Sequence, residues 1–326
     1  MKFFNLIAAA TIGLSTITAT SVQAADPAYP SKPIRLIATY GPGSSIDIIA
    51  RIFAQSLSEQ MGQSVIVENK PGAGGDLGTD FVAKSPADGY TIGFASAGPI
   101  TVNPNAREKM PYDATKDLAP VALVGTGPNV ILANPSLPVK NLQELVSYIK
   151  ANPNKVAYGS AGIGTSNHIA GELFQHESKT KILHVPYKGN SEAITDAIGG
   201  RIQVVISGVP PILSFVKSGQ LRALAVADTK RSELLPQVPT VSEAGLPGSE
   251  SVAWYGIVAP AATPETVLQR LNEEFSKAAN KPEVKSKLRS MGIVAQSISR
   301  EDFGKLMADE YARFKVLFSQ INLQMD

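Results

Sequence analysis

A strand that runs into a helix through a turn of small residues occurs twice in this chain, and this repeat most constrains its fold. In Ile34–Arg51 (IRLIATYGPGSSIDIIAR), Ile34, Leu36 and Ile37 form the apolar run, and Gly41, Pro42 and Gly43 break it. Ser44 or Ser45 then offers an N-cap hydroxyl, and Ile48, Ile49, Ile52 and Phe53 recur at helical spacing. The second copy is Val156-Ala157-Tyr158, a Gly159–Ser166 turn, and a helix predicted over Asn167–His176. Such turns leave backbone N–H groups free beside the positive end of a helix dipole, which suits a carboxylate or phosphate. An ordinary βα connection looks the same, so the rest of the chain must decide.

Around each copy the pattern is strand, helix, strand, helix, strand, as in a parallel sheet. The first set ends in Tyr90–Ala95 and the small loop Ser96-Ala97-Gly98-Pro99. Asn103–Leu118 is polar, and Val121–Val124 and Val130–Ala133 read as two strands with no helix between them, a crossing into a second unit. A Pro- and Gly-rich connector at Leu235–Gly248 precedes the long strand Ser251–Ala259 and three helical stretches. The last 75 or so residues hold too few strands for a third domain and are expected to complete the first. The predicted architecture is α/β with two lobes joined by crossing segments and a cleft between them. Lobe 1 is 25–125 plus 249–326, and lobe 2 is 126–248.

The first 24 residues do not count toward that fold. Met1-Lys2 is basic, Phe3–Ile17 is apolar, and Val22-Gln23-Ala24 has the small–x–small pattern of a secretory cleavage site. Taking 24 residues from 326 leaves 302, and removing Lys2 from a net charge of +2 leaves +1. A nearly neutral chain gives no reason to expect nucleic acid as a partner. With no cysteine, an exported chain has no disulfide framework and must rely on its core. The expected location is the periplasm, and the expected state is monomeric.

Three small-residue loops follow strands: Tyr40–Ser45, Ser96–Pro99 and Gly159–Ser166. Ligands of α/β proteins bind at such strand ends. None of the loops contains lysine or arginine, so neutral amides and hydroxyls would hold a small anion. Asp47, in the first turn of the opening helix, either complements its dipole or shapes the anion site through loop amides. Tyr40 and Trp254 are candidate cleft aromatics, with core packing preferred for Trp254. There is no GxxxxGK[ST] or GxSxG, and Gly162–Asn167 lacks the third glycine of a dinucleotide loop. Three histidines eight apart show no metal-ligand pattern, and His168 reads as a capping or packing residue. No metal or cofactor is expected.

The ordered set YPSKPIRLI, GPGSSIDIIAR, VENKPGAGGDLG, DGYTIGFAS, GSAGIGTSNHIAGELF, HVPYKGNSEAITDAIGG, LPQVPTVSEAGLPG and AWYGIVAPAATPETVLQRLN spans nearly all of the chain after the leader. It resembles the Bug-type substrate-binding proteins of tripartite tricarboxylate transporters. The resemblance implies a periplasmic type II binding-protein fold with hinged lobes that closes on a small ligand, mostly a carboxylate, and delivers it to inner-membrane transporter subunits. The family's first loop commonly reads proline–glycine–glycine–x–x–aspartate. Pro42, Gly43 and Asp47 match, and a serine, Ser44 or Ser45, stands where glycine is usual. Many members carry an acid or amide after the strand matching Gln203–Ile206, where Ser207 stands here, which favours a plain carboxylate over an amino acid. The expected contacts are Tyr40, Gly43, Ser44, Ser45, Asp47, Ser96, Ala97, Gly164, Thr165, Ser166 and Ser207. A receptor that presents its ligand to a membrane kinase, or an exported hydrolase or lyase, would be the alternatives.

Overall fold

The computed structural model describes residues 29–321, with side chains to Ser319; the expected leader 1–24 lies outside them. The first elements are β1 (Ile34–Ala38), α1 (Ser45–Met61), β2 (Val65–Asn69), α2 (Asp76–Ala83) and β3 (Thr91–Ala95). Strands β2 and β3 both lie parallel to β1. Helix α1 starts because the Ser44 hydroxyl accepts the Asp47 N–H, and stops at Gly62 in the left-handed conformation. A π-helical turn at Gly98–Val102 and α3 (Asn103–Ala106) lead on to β4 (Leu118–Ala133). The second set is α4 (Leu142–Ala151), β5 (Ala157–Ser160), α5 (Ser166–Ser178), β6 (Leu183–Pro186), α6 (Asn190–Ile198), β7 (Val204–Gly208), α7 (Val209–Lys217) and β8 (Arg222–Ala227). The chain closes with β9 (Val252–Pro260), α8 (Glu265–Asn280), α9 (Pro282–Ser290), β10 (Val294–Ala295) and α10 (Arg300–Ile321).

The two strands expected at 121–124 and 130–133 are one strand of 16 residues, β4. Its first part, to Pro128, pairs with β9 beside β3. From Asn129 onward it pairs with β7 and β8. Proline cannot donate to a ladder, so Pro128 sits where the strand changes partners. The path β2-β1-β3-β9-β4-β7-β5-β6 therefore joins two βαβ units through one strand. After Ser251 the chain returns to the first unit through β9, and Phe275 of α8 packs on Phe53 of α1 with ring centroids 5.9 Å apart.

Alternation along the strands sorts the core into layers. Leu36, Tyr255 and Ile257 join the cluster with Phe53 and Phe275, whereas Ile37, Trp254 and Val258 join the one with Phe303. In the second unit, Ile131 and Ile206 belong to one cluster and Val130, Leu132 and Val205 to another. Apolar side chains leave both faces of each sheet, which explains the nearly continuous hydrophobic runs of β3 and β4.

Candidate functional site

The ends of β1 and β5 open on one cavity of about 420 Å³, counting its solvent-open mouth. Four helices start in its wall. Ser44, Ser45 and Ile46 come from α1, and Thr165, Ser166 and Asn167 from α5. Asn190 is the first residue of α6, and Gly208 is the N-cap of α7. Tyr40, Ser96, Asn129, Ala161, Ala253 and Tyr255 complete the lining.

The starts of α1 and α5 use the same chemistry. Ser44 caps α1 by accepting the Asp47 N–H at 3.2 Å, and Thr165 caps α5 by accepting the His168 N–H at 3.3 Å. The N–H groups of Ser44 and Thr165 are taken by Gly41 O and Gly162 O. This leaves the first-turn amides of Ser45 and Ile46 on one wall, and of Ser166 and Asn167 on the other, with no acceptor among the described residues. No lining side chain carries a charge at neutral pH. Burial, partly offset by the nearby Ser45 hydroxyl, pushes the Tyr255 phenol up to about 12. Burial also raises the Tyr40 phenol, which donates to Gly74 O at 2.8 Å. The cavity is thus electropositive through peptide dipoles alone. Two buried polar atoms in its wall, Ser45 Oγ and Asn190 Oδ1, have no hydrogen-bond partner among the described residues. A buried group left unpaired is costly, so both mark places where a bound molecule would complete the bonding.

Of the residues expected at the site, Tyr40, Ser44, Ser45, Ser96, Thr165 and Ser166 line the cavity; Gly43, Asp47, Ala97, Gly164 and Ser207 lie outside its lining. Asp47 accepts from Gly43 N at 3.0 Å, Asn69 Nδ2 at 2.9 Å and Arg51 Nε at 3.1 Å. Burial opposes its charge, but Arg51, Gly43 and Asn69 together hold the carboxyl below its ordinary value. Asp47 therefore ties the first loop to α1, and the Gly43 amide is consumed in doing so. Gly164 donates to His168 Nδ1 at 3.2 Å. Ala97 gives its carbonyl to the Thr101 hydroxyl at 3.0 Å. Ser207 alternates with Gly208 on β7, so Gly208 meets the cavity while the Ser207 hydroxyl donates to Gly208 O.

Ile46, Asn129, Ala161, Asn167, Asn190, Gly208, Ala253 and Tyr255 were not expected there. Ile46 and Asn167 are second residues of helices whose caps were expected, and Asn190 follows the Tyr187–Gly189 turn, so a rule that helix starts line the cleft would have found them. Tyr255 and Ala253 alternate with Trp254, whose Nε1 donates to Glu310 Oε2 at 2.7 Å and whose ring meets Phe303 edge-on. Asn129 has no local signal; it is placed by the partner change within β4.

Beneath the second loop, His168 stacks on His184 at 4.1 Å, and His184 on Tyr158 at 4.7 Å. His184 Nε2 meets Ser160 Oγ at 2.7 Å, a serine–histidine pair that spacing did not reveal. Ser160 is fully buried, outside the cavity, and its hydroxyl is given to Gly162 O. Burial and the neighbouring His168 lower His184 to about 3. The pair braces the loop's turn.

A second hollow lies on the other side of Tyr40, between the Gly72–Gly75 loop and Gly162-Ile163 with Tyr187-Lys188. It contains Arg107, paired with Asp76 at 3.5 Å, and Lys188. The two units touch closely nearby: a Cβ at Gly74 would overlap the Ile163 carbonyl, and one at Gly164 would overlap the Asn103 side chain.

A two-unit α/β chain whose helix starts converge on an uncharged cleft has the architecture of a solute-binding protein. The profile of the "Tripartite tricarboxylate transporter family receptor" matches residues 49–323, and the chain belongs to that family. It is 35% identical over 315 residues to Protein BugT of Bordetella pertussis, covering 96% of each chain. Its structure is similar to that of R. palustris Rpa4515 with adipate, at a TM-score of 0.88, 31% identity, and coverage of 91% of this chain and 99% of that one. It is also similar to MatC from Rhodopseudomonas palustris with bound malate, at a TM-score of 0.84, 27% identity, and coverage of 88% and 99%.

Proposed function

We propose that this chain is an exported receptor that captures a small organic carboxylate and hands it to inner-membrane subunits of a tripartite transporter. The observation that carries this reading is the cavity itself: four helix N-termini, free first-turn amides on two facing walls, and no charged side chain. A carboxylate would accept from Ser45, Ile46, Ser166 and Asn167 amides, with the Ser45 and Tyr255 hydroxyls beside them. The adipate and malate of the two R. palustris proteins are small carboxylates of this kind. Residues 25–125 with 249–326 and residues 126–248 would form the lobes, joined where β4 passes Pro128 and where the chain returns at Ser251. The leader would be cleaved after Ala24, and the mature monomer would act in the periplasm. The Ser160–His184 pair fits a binding role rather than hydrolysis, since neither residue lines the cavity.

The test is calorimetry and thermal shift on the chain from Ala25, with mono-, di- and tricarboxylates against amines and sugars. A carboxylate at a hundred times its Kd should stabilise the fold by about 2.7 kcal/mol. Stabilisation by an amine or sugar, with none by any carboxylate, would sink the proposal.

A further inference from the structure

We infer that the ligand carries a hydrogen-bond donor, a hydroxyl or an amide N–H, in addition to its carboxylate, and that Asn167 Oδ1 accepts it. This rests on the carboxylate reading above and narrows it.

The Asn129 side chain places one terminal atom 2.9 Å from Ser251 O and 3.2 Å from Ser166 O. Main-chain carbonyls only accept, so that atom is the NH₂ group. Its other terminal atom is therefore the carbonyl oxygen, and it lies 2.7 Å from the Asn167 amide. An oxygen there can only be met by Asn167 NH₂. Asn167 thus has no freedom to turn, and Oδ1 is the atom left over. Asn167 is 6% exposed and lines the cavity, and its Oδ1 has no partner among the described residues.

Asn129, Ser44 and Thr165 of the lining are already bonded, and the unpaired groups beside Asn167 can adapt. The hydroxyls of Ser45 and Tyr255 donate or accept by rotation, and Asn190 has no protein partner to fix which way its amide points. Asn167 Oδ1 alone is held as an acceptor. An ionised carboxylate has no proton to give, so a ligand with only carboxylates leaves this oxygen to water or repels it. A hydroxyl or N–H satisfies it. A site that is built to bond a polar group discriminates strongly against the analogue that lacks it, because its own buried group is then stranded.

Matched acids test this on the unmodified chain by calorimetry: succinate, malate and fluorosuccinate, and propionate, lactate and 2-fluoropropionate. Fluorine replaces the hydroxyl without supplying a donor. The expected result is a hydroxy acid at least tenfold tighter than both its partners in one series. In Asn167→Ala this gap should shrink to about twofold, whatever the change in affinity for the plain acid. Because Asn167→Ala also leaves Asn129 Oδ1 unpaired, the ligand series on the parent chain stands by itself if the variant does not fold. Equal or tighter binding of succinate and fluorosuccinate would overturn the inference. That result leaves the carboxylate reading intact. Failure of every carboxylate to bind would instead remove that reading and this one with it.

Discussion

The two walls of the cleft are the same device supported in different ways. Each is a strand, a glycine turn and a hydroxyl-capped helix that leaves two first-turn amides free. The first wall is held by charge: ionised Asp47 draws in Gly43 N, Asn69 and Arg51. The second is held by a histidine stack: His168 accepts the Gly164 amide and faces the Glu172 carboxylate at 3.5 Å, while His184 and Ser160 fix the turn below it. A ligand needs the amides in place, and peptide geometry does not dictate what keeps them there. The supports should nevertheless respond differently to substitution and to pH.

The largest effect is expected where the walls meet. Gly164 has a φ of +79°, and a Cβ would strike Asn103 across the interface. Gly164→Ala should weaken carboxylate binding at least tenfold and cost about 1–3 kcal/mol of stability, from strain and overlap together. Calorimetry and denaturant unfolding measure the two separately; unchanged affinity would mean that the walls need not approach this closely.

Asp47→Asn tests the charged support. Breaking a buried, hydrogen-bonded carboxylate network should cost about 1–3 kcal/mol and loosen binding through the first loop. The sign with pH follows from the lowered carboxyl. Its contribution is full above the unfolded-state value near 3.9 and is lost as pH falls below that toward the depressed folded value. The parent chain should therefore lose stability relative to the variant only below about pH 4. A gap between them that changes between pH 5 and 7 would contradict this.

The histidine support predicts a different window. His184 is held near 3 in the fold by burial and by His168, against about 6.5 when unfolded. The unfolded chain therefore takes up a proton that the folded chain refuses, and stability falls as pH drops from about 6.5 toward 3, by up to about 1.4 kcal/mol per unit. In His184→Phe this slope should flatten, measured by urea midpoints between pH 7 and 4. An unchanged slope would place the acid sensitivity elsewhere.

The smallest effect is expected at Ser207, which β7 directs away from the cavity. Ser207→Ala should leave affinity within about twofold and cost no more than about 1 kcal/mol. A large loss of binding would mean that β7 reads the ligand through the face opposite Gly208.

Much of this molecule was legible in one dimension. Period-two apolar runs, glycine turns and cap hydroxyls are local, so both βα units and the walls at Ser44-Ser45 and Thr165-Ser166 could be read from the residues themselves. Three features depended on distance in space. β4 reads as two strands because each half is stabilised by a different partner, and only pairing with β9, β7 and β8 shows it to be continuous. Asn129, Tyr255 and Gly208 reach the cleft through sheet register, which sets the face on which a side chain emerges. Asp47 and Gly43 left the lining because a carboxylate near a helix start bonds to whichever amides the folded loop brings closest, and here those belong to its own loop. The sequence by itself determined that capped helix starts would follow the glycine turns. Tertiary structure decided that four helix starts meet, that no charged side chain joins them, and that the side-chain oxygens of Asn167 and Asn190 are left without partners among the described residues, because long-range contacts alone settle which polar groups are already satisfied.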